Sequence, residues 1–468
     1  MHLAQQFRAF WERMRGKRVA VLGIGVSNTP LIRLLLEAGA HVVACDRQPE
    51  ERLGPVAEEF RAAGAELRLG PGYLDGLACD VLYRTPGMRP DLPELLAAQN
   101  AGAVITSEME SFFEVCPCPI LGITGSSGKT TTATLLAEIL TAGGKTVHLG
   151  GNIGQPLLPS VPAMQPGHFV IAELSSFQLM TMTRSPQAAV VTNMTPNHLD
   201  VHTSMDEYIR AKENIWRHQT PGDLAIFNAD NAYTRDMAGR ARSRTLLFSA
   251  LGELPEGIFL KGQGIILRQG GAETLLLSRR DIRLPGLHNA ENVMAAAAVA
   301  VQYGCGSAVA GVAGTFAGVE HRFQLIRELG GVKYYNDSKA TGPDQTVAAL
   351  RAFPSEPSVL LIAGGSDKHV PFNGLGAEIA RAVKVLILTG PTAPKIEDSV
   401  RREGADRLPR IVYVGDMAEA VHVASACALP GDAVLLSPAS ASFDAYNNFV
   451  ERGDHFKSLV QAIPYADI

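Results

Sequence analysis

The sequence predicts an α/β protein of three domains. These are an N-terminal Rossmann-like domain over residues 1–108, a central P-loop ATPase-type domain with a parallel sheet over 109–318, and a C-terminal Rossmann-like domain over 319–468. Three observations carry this expectation. Short apolar runs alternate with stretches of helical period from Lys17 onward. Several of those runs close on Gly, Ser or Asp, the carboxyl edge at which open α/β sheets bind ligands. And 468 residues is long for a single hydrophobic core.

The chain opens on a helical stripe of Leu3, Phe7, Phe10, Trp11 and Met14, read as a lid packed on the first domain. KRVAVLGIG follows as a strand running into a glycine turn, then NTPLIRLLLEAG as a helix stopped by Gly39, then the strand HVVACD ending in Asp46. Gly23 and Gly25 form a tight turn, and an acid about 20 residues on is placed to hold a ribose. Asn28 stands where a dinucleotide fingerprint has its third glycine, so the unit reads as a Rossmann-like binder of a nucleotide or sugar phosphate. CDVLYRTPGM is a further strand, ending in the turn Thr85-Pro86-Gly87.

The second block opens with PILGITGSSGKTTTATLLAEILTAGG, residues 119–144. Its β-branched strand leads into a glycine turn, and Leu135, Leu136, Ile139 and Leu140 then recur at helical spacing until Gly143-Gly144. Gly125 and Gly128 allow positive φ and expose amides to an anion, Lys129 adds charge, and the Thr130 hydroxyl reaches a phosphate-bound Mg²⁺. Ile123 occupies the first glycine of the strict P-loop pattern, leaving the shorter T-G-x-x-G-K-T. Glu173 ends the strand in HFVIAELSSFQL, where such proteins place a Mg²⁺-organising carboxylate. AAVVTNMTPNHLDVH delivers His198, Asp200 and His202 to a loop, as a ligand or metal site or as solvated side chains. By pattern alone Lys212, in YIRAKENIW, is a helix-surface lysine. Asn289 and Asn292 sit one turn apart at the start of an alanine-rich helix, where Asn289 is a candidate N-cap. From Val319, strands ending in glycine or serine alternate with helices to the C-terminus.

Composition narrows the classes. A net charge of −5 gives no electrostatic case for nucleic acid or anionic membrane. The apolar run VMAAAAVAV is too short to span a bilayer. Six scattered cysteines, with only Cys116 and Cys118 close, lack zinc-ligand or redox spacing and read as reduced thiols of a cytoplasmic protein.

The stretches GITGSSGKTTT, ELSSFQL, TPNHLD, AKENIW, LPGLHNAENVMAA, HRFQ, NDSKAT and LLSPASASFD resemble the Mur ligase family, ATP-dependent enzymes that add amino acids to the peptidoglycan precursor. They lie in family order and span all three blocks. HRFQ with NDSKAT, the N-terminal GxG block and GNIG at 151–154 are most similar to the D-glutamate-adding member. The resemblance implies an ATP-dependent ligation of D-glutamate to UDP-N-acetylmuramoyl-L-alanine through an acyl phosphate. ATP and two Mg²⁺ ions would take part, with small-molecule substrates, no nucleic acid or membrane partner, and a cytoplasmic monomer.

The same resemblance distributes roles residue by residue. Lys129, His198 and Lys212 are implied as catalytic, with Lys212 a carbamate. Gly125, Ser126, Ser127, Gly128, Lys129, Thr130, Thr131, Asn289, Asn292, Arg322 and Asp337 are implied at ATP. Gly25, Ser27, Asp46, Arg47, Thr85, Pro86, Gly87, Asn152 and His198 are implied at the UDP-substrate. Thr341, Lys368, Ser442, Phe443 and Phe449 are implied at D-glutamate, and Thr130, Glu173, His198 and carbamylated Lys212 at metal. Three positions depart from the family pattern: Ser127 and Gly342 each replace an Asn, and Arg47 replaces a small hydroxyl residue. The residues leave open a sister ligase of other amino-acid specificity, a nicotinamide-cofactor oxidoreductase built on Gly23–Asp46, and a nucleotide-binding regulator without turnover.

Overall fold

The computed structural model describes residues 2–198, 201–354, 356–367, 370–404 and 407–464, with side chains from Phe7 onward. Asp200, Lys368 and the side chain of Leu3 therefore lie outside the described residues. The chain folds into two compact units, one of residues 1–282 with 287–314 and one of residues 283–286 with 315–468.

The first unit holds two sheets. Five parallel strands run in the spatial order Glu66–Leu69, His41–Asp46, Arg18–Leu22, Val81–Tyr83, Val104–Thr106. Strands first and fourth in sequence are neighbours, so the order reverses between Arg18–Leu22 and Val81–Tyr83. Their carboxyl ends carry the Gly23 turn and the Thr85–Gly87 turn, and a Cβ at Gly23 would stand 3.2 Å from the Thr85 Cβ. Both faces of this sheet are covered, which is why its strands read as continuous apolar runs and not as alternation.

Asn28 explains the missing third glycine. It is buried, and its Nδ2 donates to the carbonyls of Leu22 and Gly23 at 3.0 Å each, so a side-chain amide closes the strand-to-helix turn. The N-terminal helix His2–Glu12 packs on the helix Glu108–Val115 and on the 3-10 turn Leu158–Ala163, so its Phe10, Trp11 and the following Met14 join a core that also contains Val161 and Phe112. The lid expectation therefore needs one correction: the helix covers the seam with the next sheet as well as the first domain.

The second sheet has nine strands, in the order Ala272–Ser278, Gly264–Gln269, Gly257–Lys261, Arg244–Ser249, Leu224–Asn228, Ala188–Val191, Ile120–Thr124, Phe169–Glu173, Val147–Gly151. All pairings are parallel except the terminal meander from Gly257 to Ser278. The strand Ile120–Thr124 is an interior strand, third from one edge and fully buried, with Ile123 paired to Glu173 and Thr124 to Val191. At roughly 1.5–3 kcal/mol for each fully buried large aliphatic side chain, this strand is fixed by its neighbours on both sides. The helix Leu287–Gln302 packs against Lys129–Ala142, and its run of buried alanines lets the two backbones approach closely.

The second unit holds six strands in the order Gln324–Leu329, Val332–Asn336, Ala433–Leu436, Val359–Gly364, Val383–Thr389, Arg410–Tyr413, parallel apart from the first pair. Separate apolar clusters cover its two faces. Among the described residues no helix is long and apolar enough to cross a membrane, and all six cysteines are free thiols.

Glu108 begins the helix Glu108–Val115 in a buried position, its Oε1 accepting the Leu158 amide at 3.2 Å. Burial pushes its carboxyl from the ordinary 4.5 up to about 7. The protonated form is thus the one the fold prefers, and its contribution is complete below about pH 4.5 and lost as pH rises through about 7. Replacing Glu108 by Gln should remove about 3 kcal/mol of pH dependence across that window. Denaturant midpoints of both chains between pH 4.5 and 8 measure it, and parallel curves would refute it.

Candidate active site

The central loop is built as an anion cradle. Gly125 has φ +146° and Gly128 φ +82°, conformations closed to most side chains. A Cβ at Gly125 would overlap the Thr192 Oγ1, and one at Gly128 would overlap the Asn292 Oδ1. The neighbouring strand's extension clamps the loop from outside. Ser126 N donates to the Asn193 carbonyl at 2.9 Å, Ser127 N to the Asn193 Oδ1 at 2.9 Å, and the Thr192 hydroxyl to the Ser127 carbonyl at 2.6 Å. The Ser126 hydroxyl lies 2.9 Å from the Thr195 carbonyl and 3.0 Å from the Tyr208 hydroxyl. Gly128 then starts the helix Lys129–Ala142, whose open N-terminal amides and dipole favour an anion. Lys129 Nζ lies 3.0 Å from the Gly125 carbonyl and 3.1 Å from that of Ser126, holding its charge at the loop. Thr131, the third residue of the helix, is half-buried.

Beside the loop, three buried groups converge. Thr130 and Glu173 are each 2% exposed, and the Thr130 Oγ1 and Glu173 Oε2 have no hydrogen-bond partner. Burying such atoms unpaired is costly, and two oxygens left open beside a phosphate cradle fit a hard cation. The other Glu173 oxygen accepts the Asn152 Nδ2 at 2.8 Å. Among the described residues no three His, Cys, Asp or Glu side chains form a metal cage. Mg²⁺ is a cation held by one or two protein oxygens together with substrate phosphates.

The third group corrects the pattern reading. Lys212 is not on the surface of its helix, Met205–Arg217, but 2% exposed, and its Nζ donates to the Thr124 hydroxyl at 3.1 Å over the Tyr208 ring. Burial, then the charge of Lys129, pull its pKa well below 10.5, with Glu173 opposing. Helical spacing gave its position on the helix, but the YIRAKENIW helix buries Tyr208, Ala211 and Ile215 on the same side. Asn289 is corrected too: it is a buried residue of the first helical turn, not a cap, and its Oδ1 lies 3.3 Å from the Asn292 Nδ2. Asn292 also meets the Thr132 hydroxyl at 3.3 Å, which joins this pair to the loop.

His198 is exposed at φ +56°, its ring 5.0 Å from that of Phe177. His202 is buried, stacked on the Phe177 ring and 2.9 Å from the Ser176 hydroxyl, so it is no solvated loop residue. In the first sheet, Asp46 accepts the Ile24 amide at 2.7 Å and the Gln48 amide at 2.8 Å, so its carboxylate braces the glycine turn. Ser27 leads into the helix Asn28–Glu37. Gly25, Arg47 and Gly87 are exposed and Thr85 and Pro86 half-buried around the same sheet edge.

In the second unit, Arg322 lies between His321 (φ +59°) and Phe323 (φ +46°), two non-glycine residues in left-handed conformations of the kind that cluster at functional sites. Asp337 fixes that loop by accepting the Phe323 amide and the Ser437 hydroxyl, and burial raises its carboxyl to about 7. Thr341 and Gly342 line a cavity of about 480 Å³ with Gln345, Val370, Pro371 and Asn373. Ser442 is buried and Phe443 exposed. Phe449, half-buried, has the Lys339 ammonium 5.7 Å from its ring centre. Arg84, Thr124, Phe177, Thr192 and Tyr208 also belong to this site, with little in the sequence to mark them. A charged residue closing the apolar run before Thr85-Pro86-Gly87 was the signal for Arg84; the others sit in ordinary apolar or hydroxyl positions.

The parallel sheets and the glycine loop at a central strand define a phosphate-loop α/β protein. The chain belongs to the Mur ligase family. The family's middle domain matches residues 123–300 and its glutamate ligase domain residues 321–440. UDP-N-acetylmuramoylalanine–D-glutamate ligase of Symbiobacterium thermophilum is 52% identical over 96% of this chain and 98% of its own, and that of Acetivibrio thermocellus 48% over 97% and 98%. Among solved structures, UDP-N-acetylmuramate-alanine ligase MurC of Thermotoga maritima aligns with a TM-score of 0.56 at 19% identity, covering 95% of this chain and 99% of its own. MurF of Acinetobacter baumannii aligns at 0.57 and 16%, covering 98% and 97%. At those identities the likeness is one of fold.

Replacing Gly125 by Ala should cost about 1–3 kcal/mol, because it adds left-handed strain and a clash with Thr192. Adding Thr192→Ala should restore only the part due to the clash. Thermal unfolding of both variants tests this, and a Gly125→Ala chain as stable as the parent would contradict it.

Proposed function

We propose that this chain ligates D-glutamate to UDP-N-acetylmuramoyl-L-alanine at the expense of ATP, in peptidoglycan precursor synthesis. The observation that carries the reading is the Gly125–Gly128 cradle with Thr130, Glu173 and Lys212 buried beside it, in a chain 52% identical to a D-glutamate ligase over almost its whole length.

The chemistry asked of the site is charge neutralisation. The γ-phosphoryl group passes from ATP to the L-alanine carboxylate, ADP leaves, and an acyl phosphate forms. The D-glutamate amine attacks the acyl carbon, the tetrahedral adduct expels phosphate, and the ammonium proton is lost as the amide forms. No protein nucleophile is needed. The loop Gly125–Thr131, through the amides at the start of the helix Lys129–Ala142, and the Lys129 ammonium would hold the phosphates, with Asn289 and Asn292 on the nucleotide side. Thr130, Glu173 and His198 would hold Mg²⁺, which supplies further neutralisation of the transferring group. Arg322 and Asp337 would meet phosphate and ribose.

Lys212 is the residue for a carbamate. Burial and Lys129 favour its neutral, nucleophilic amine, which can add to CO₂ with loss of a proton. The product is an anion facing the Thr124 hydroxyl, able to ligate a second Mg²⁺. The UDP-sugar would lie along Gly25, Ser27, Asp46, Arg47, Thr85, Pro86 and Gly87, its L-alanine end reaching Asn152 and His198. In this reading the three sheets serve as three functional domains, for UDP-sugar, ATP and amino acid in chain order. Thr341, Lys368, Ser442, Phe443 and Phe449 would receive D-glutamate. A monomer in the cytoplasm completes the proposal.

Mg²⁺-dependent phosphate release with UDP-N-acetylmuramoyl-L-alanine should require D-glutamate, and L-glutamate, L-alanine or no amino acid should give none. Turnover with another amino acid would move the specificity, and absence of turnover with ATP bound would overturn the reading. Lys212→Ala should lose activity by at least about 100-fold and regain part of it with added short-chain carboxylates. A fully active variant, or one that no carboxylate restores, would exclude the carbamate.

A further inference from the structure

Arg84 is 1% exposed, and no acidic side chain among the described residues pairs with it. A buried guanidinium without a counter-ion is a costly way to fill space, and an apolar side chain of similar volume would avoid that cost. Its bonds show what it does instead. One terminal nitrogen donates to the carbonyls of Thr85 at 3.2 Å and Pro86 at 2.8 Å, and to that of Met88. The other donates to the Phe177 carbonyl at 2.9 Å and the Thr181 hydroxyl at 3.1 Å. The Nε is left without a partner. The two prongs of one planar fork therefore hold two distant segments.

Each segment leads to a part of the site. Thr85, Pro86 and Gly87 form the turn at the switch point of the first sheet. Phe177 lies four residues beyond Glu173, and its ring meets that of His198 edge-on at 5.0 Å and stacks on that of His202 at 5.3 Å. Arg89, five residues after Arg84, makes a second strap: it reaches the Val201 carbonyl at 2.6 Å and the Glu207 carboxylate. Unlike Arg84, Arg89 is compensated by Asp91 and Glu207.

We propose that Arg84 is a positioning residue, its guanidinium fork setting the distance between the turn that receives the UDP-sugar and the Phe177–His198 wall beside the phosphate loop. This rests on the functional reading above, which places the two ends of one substrate at those two places. Lysine cannot replace it, because a point charge lacks the two divergent prongs.

The test is steady-state kinetics of the full chain. Arg84→Ala is expected to lose about 10- to 100-fold in kcat/KM for UDP-N-acetylmuramoyl-L-alanine, since small misplacements of reacting groups have effects of that size. Its KM for ATP should stay within about twofold. Added guanidinium should restore part of the loss, and methylammonium should not, a difference that loss of stability alone would not produce. Kinetic constants equal to the parent's, or equal rescue by both cations, would overturn the proposal. If Arg84→Ala does not fold, Thr181→Val removes one acceptor and carries the test. It should raise the UDP-sugar KM or lower kcat without moving the ATP KM, and unchanged constants would overturn the proposal. A parent chain that binds the UDP-sugar without ligating it would sink the functional reading alone, and the variants would then be compared by that binding constant.

Discussion

A short loop of backbone that no side chain can enter organises this molecule. Between the strand Ile120–Thr124 and the helix Lys129–Ala142, the chain turns through two glycines with positive φ, and the space a Cβ would need is already taken by Thr192 and Asn292. The loop is held from outside by the main chain and side chains of Thr192, Asn193 and Thr195. The loop's shape is thereby fixed before any anion arrives, so little ordering remains to be done on binding. The position of the loop in turn depends on the interior strand before it, fully buried within a nine-stranded sheet.

Around that fixed point the side chains form graded layers of charge. Lys129 supplies a cation at the loop itself. Glu173, delivered by the adjacent strand in register with Ile123, supplies an anion next to it, steadied by Asn152. Lys212 arrives from the helix Met205–Arg217, its charged form disfavoured by burial and by Lys129. A cation, an anion and a buried amine this close would be frustrated in a purely structural core. Here the open oxygens of Thr130 and Glu173 mark the direction in which the frustration is relieved, toward a bound cation.

The same economy of backbone contacts recurs elsewhere. Arg452 in the second unit is buried like Arg84, and donates to the carbonyls of Ser338, Ser440 and Ala441 and to the Ser338 hydroxyl. It binds together the loops after Asn336 and Leu436, the two strand ends that carry Asp337 and Ser442. In both units an arginine uses several prongs to hold irregular loops at a sheet's carboxyl edge, where strand ladders no longer constrain the chain.

By itself the sequence determined what depends on local chemistry. Glycines before a lysine and a helical period mark the phosphate loop, the apolar runs mark parallel strands covered on both faces, and ordered motifs from GITGSSGKTTT to LLSPASASFD mark the family. What it did not determine was how groups far apart in the chain meet. Lys212 looks like any helix lysine until the helix is laid against Thr124 and Tyr208, and Asn28 looks like a defective glycine motif until its amide is seen closing the turn. Asp46 likewise shows its bracing of the glycine turn, through the Ile24 amide, only in the folded chain. Arg84 is only a charge at the end of a strand until Phe177, 93 residues on, supplies its acceptor. Periodicity reports which residues share an element, whereas burial, desolvation and long-range hydrogen bonds are set by what the element is packed against, and only the tertiary structure decides that.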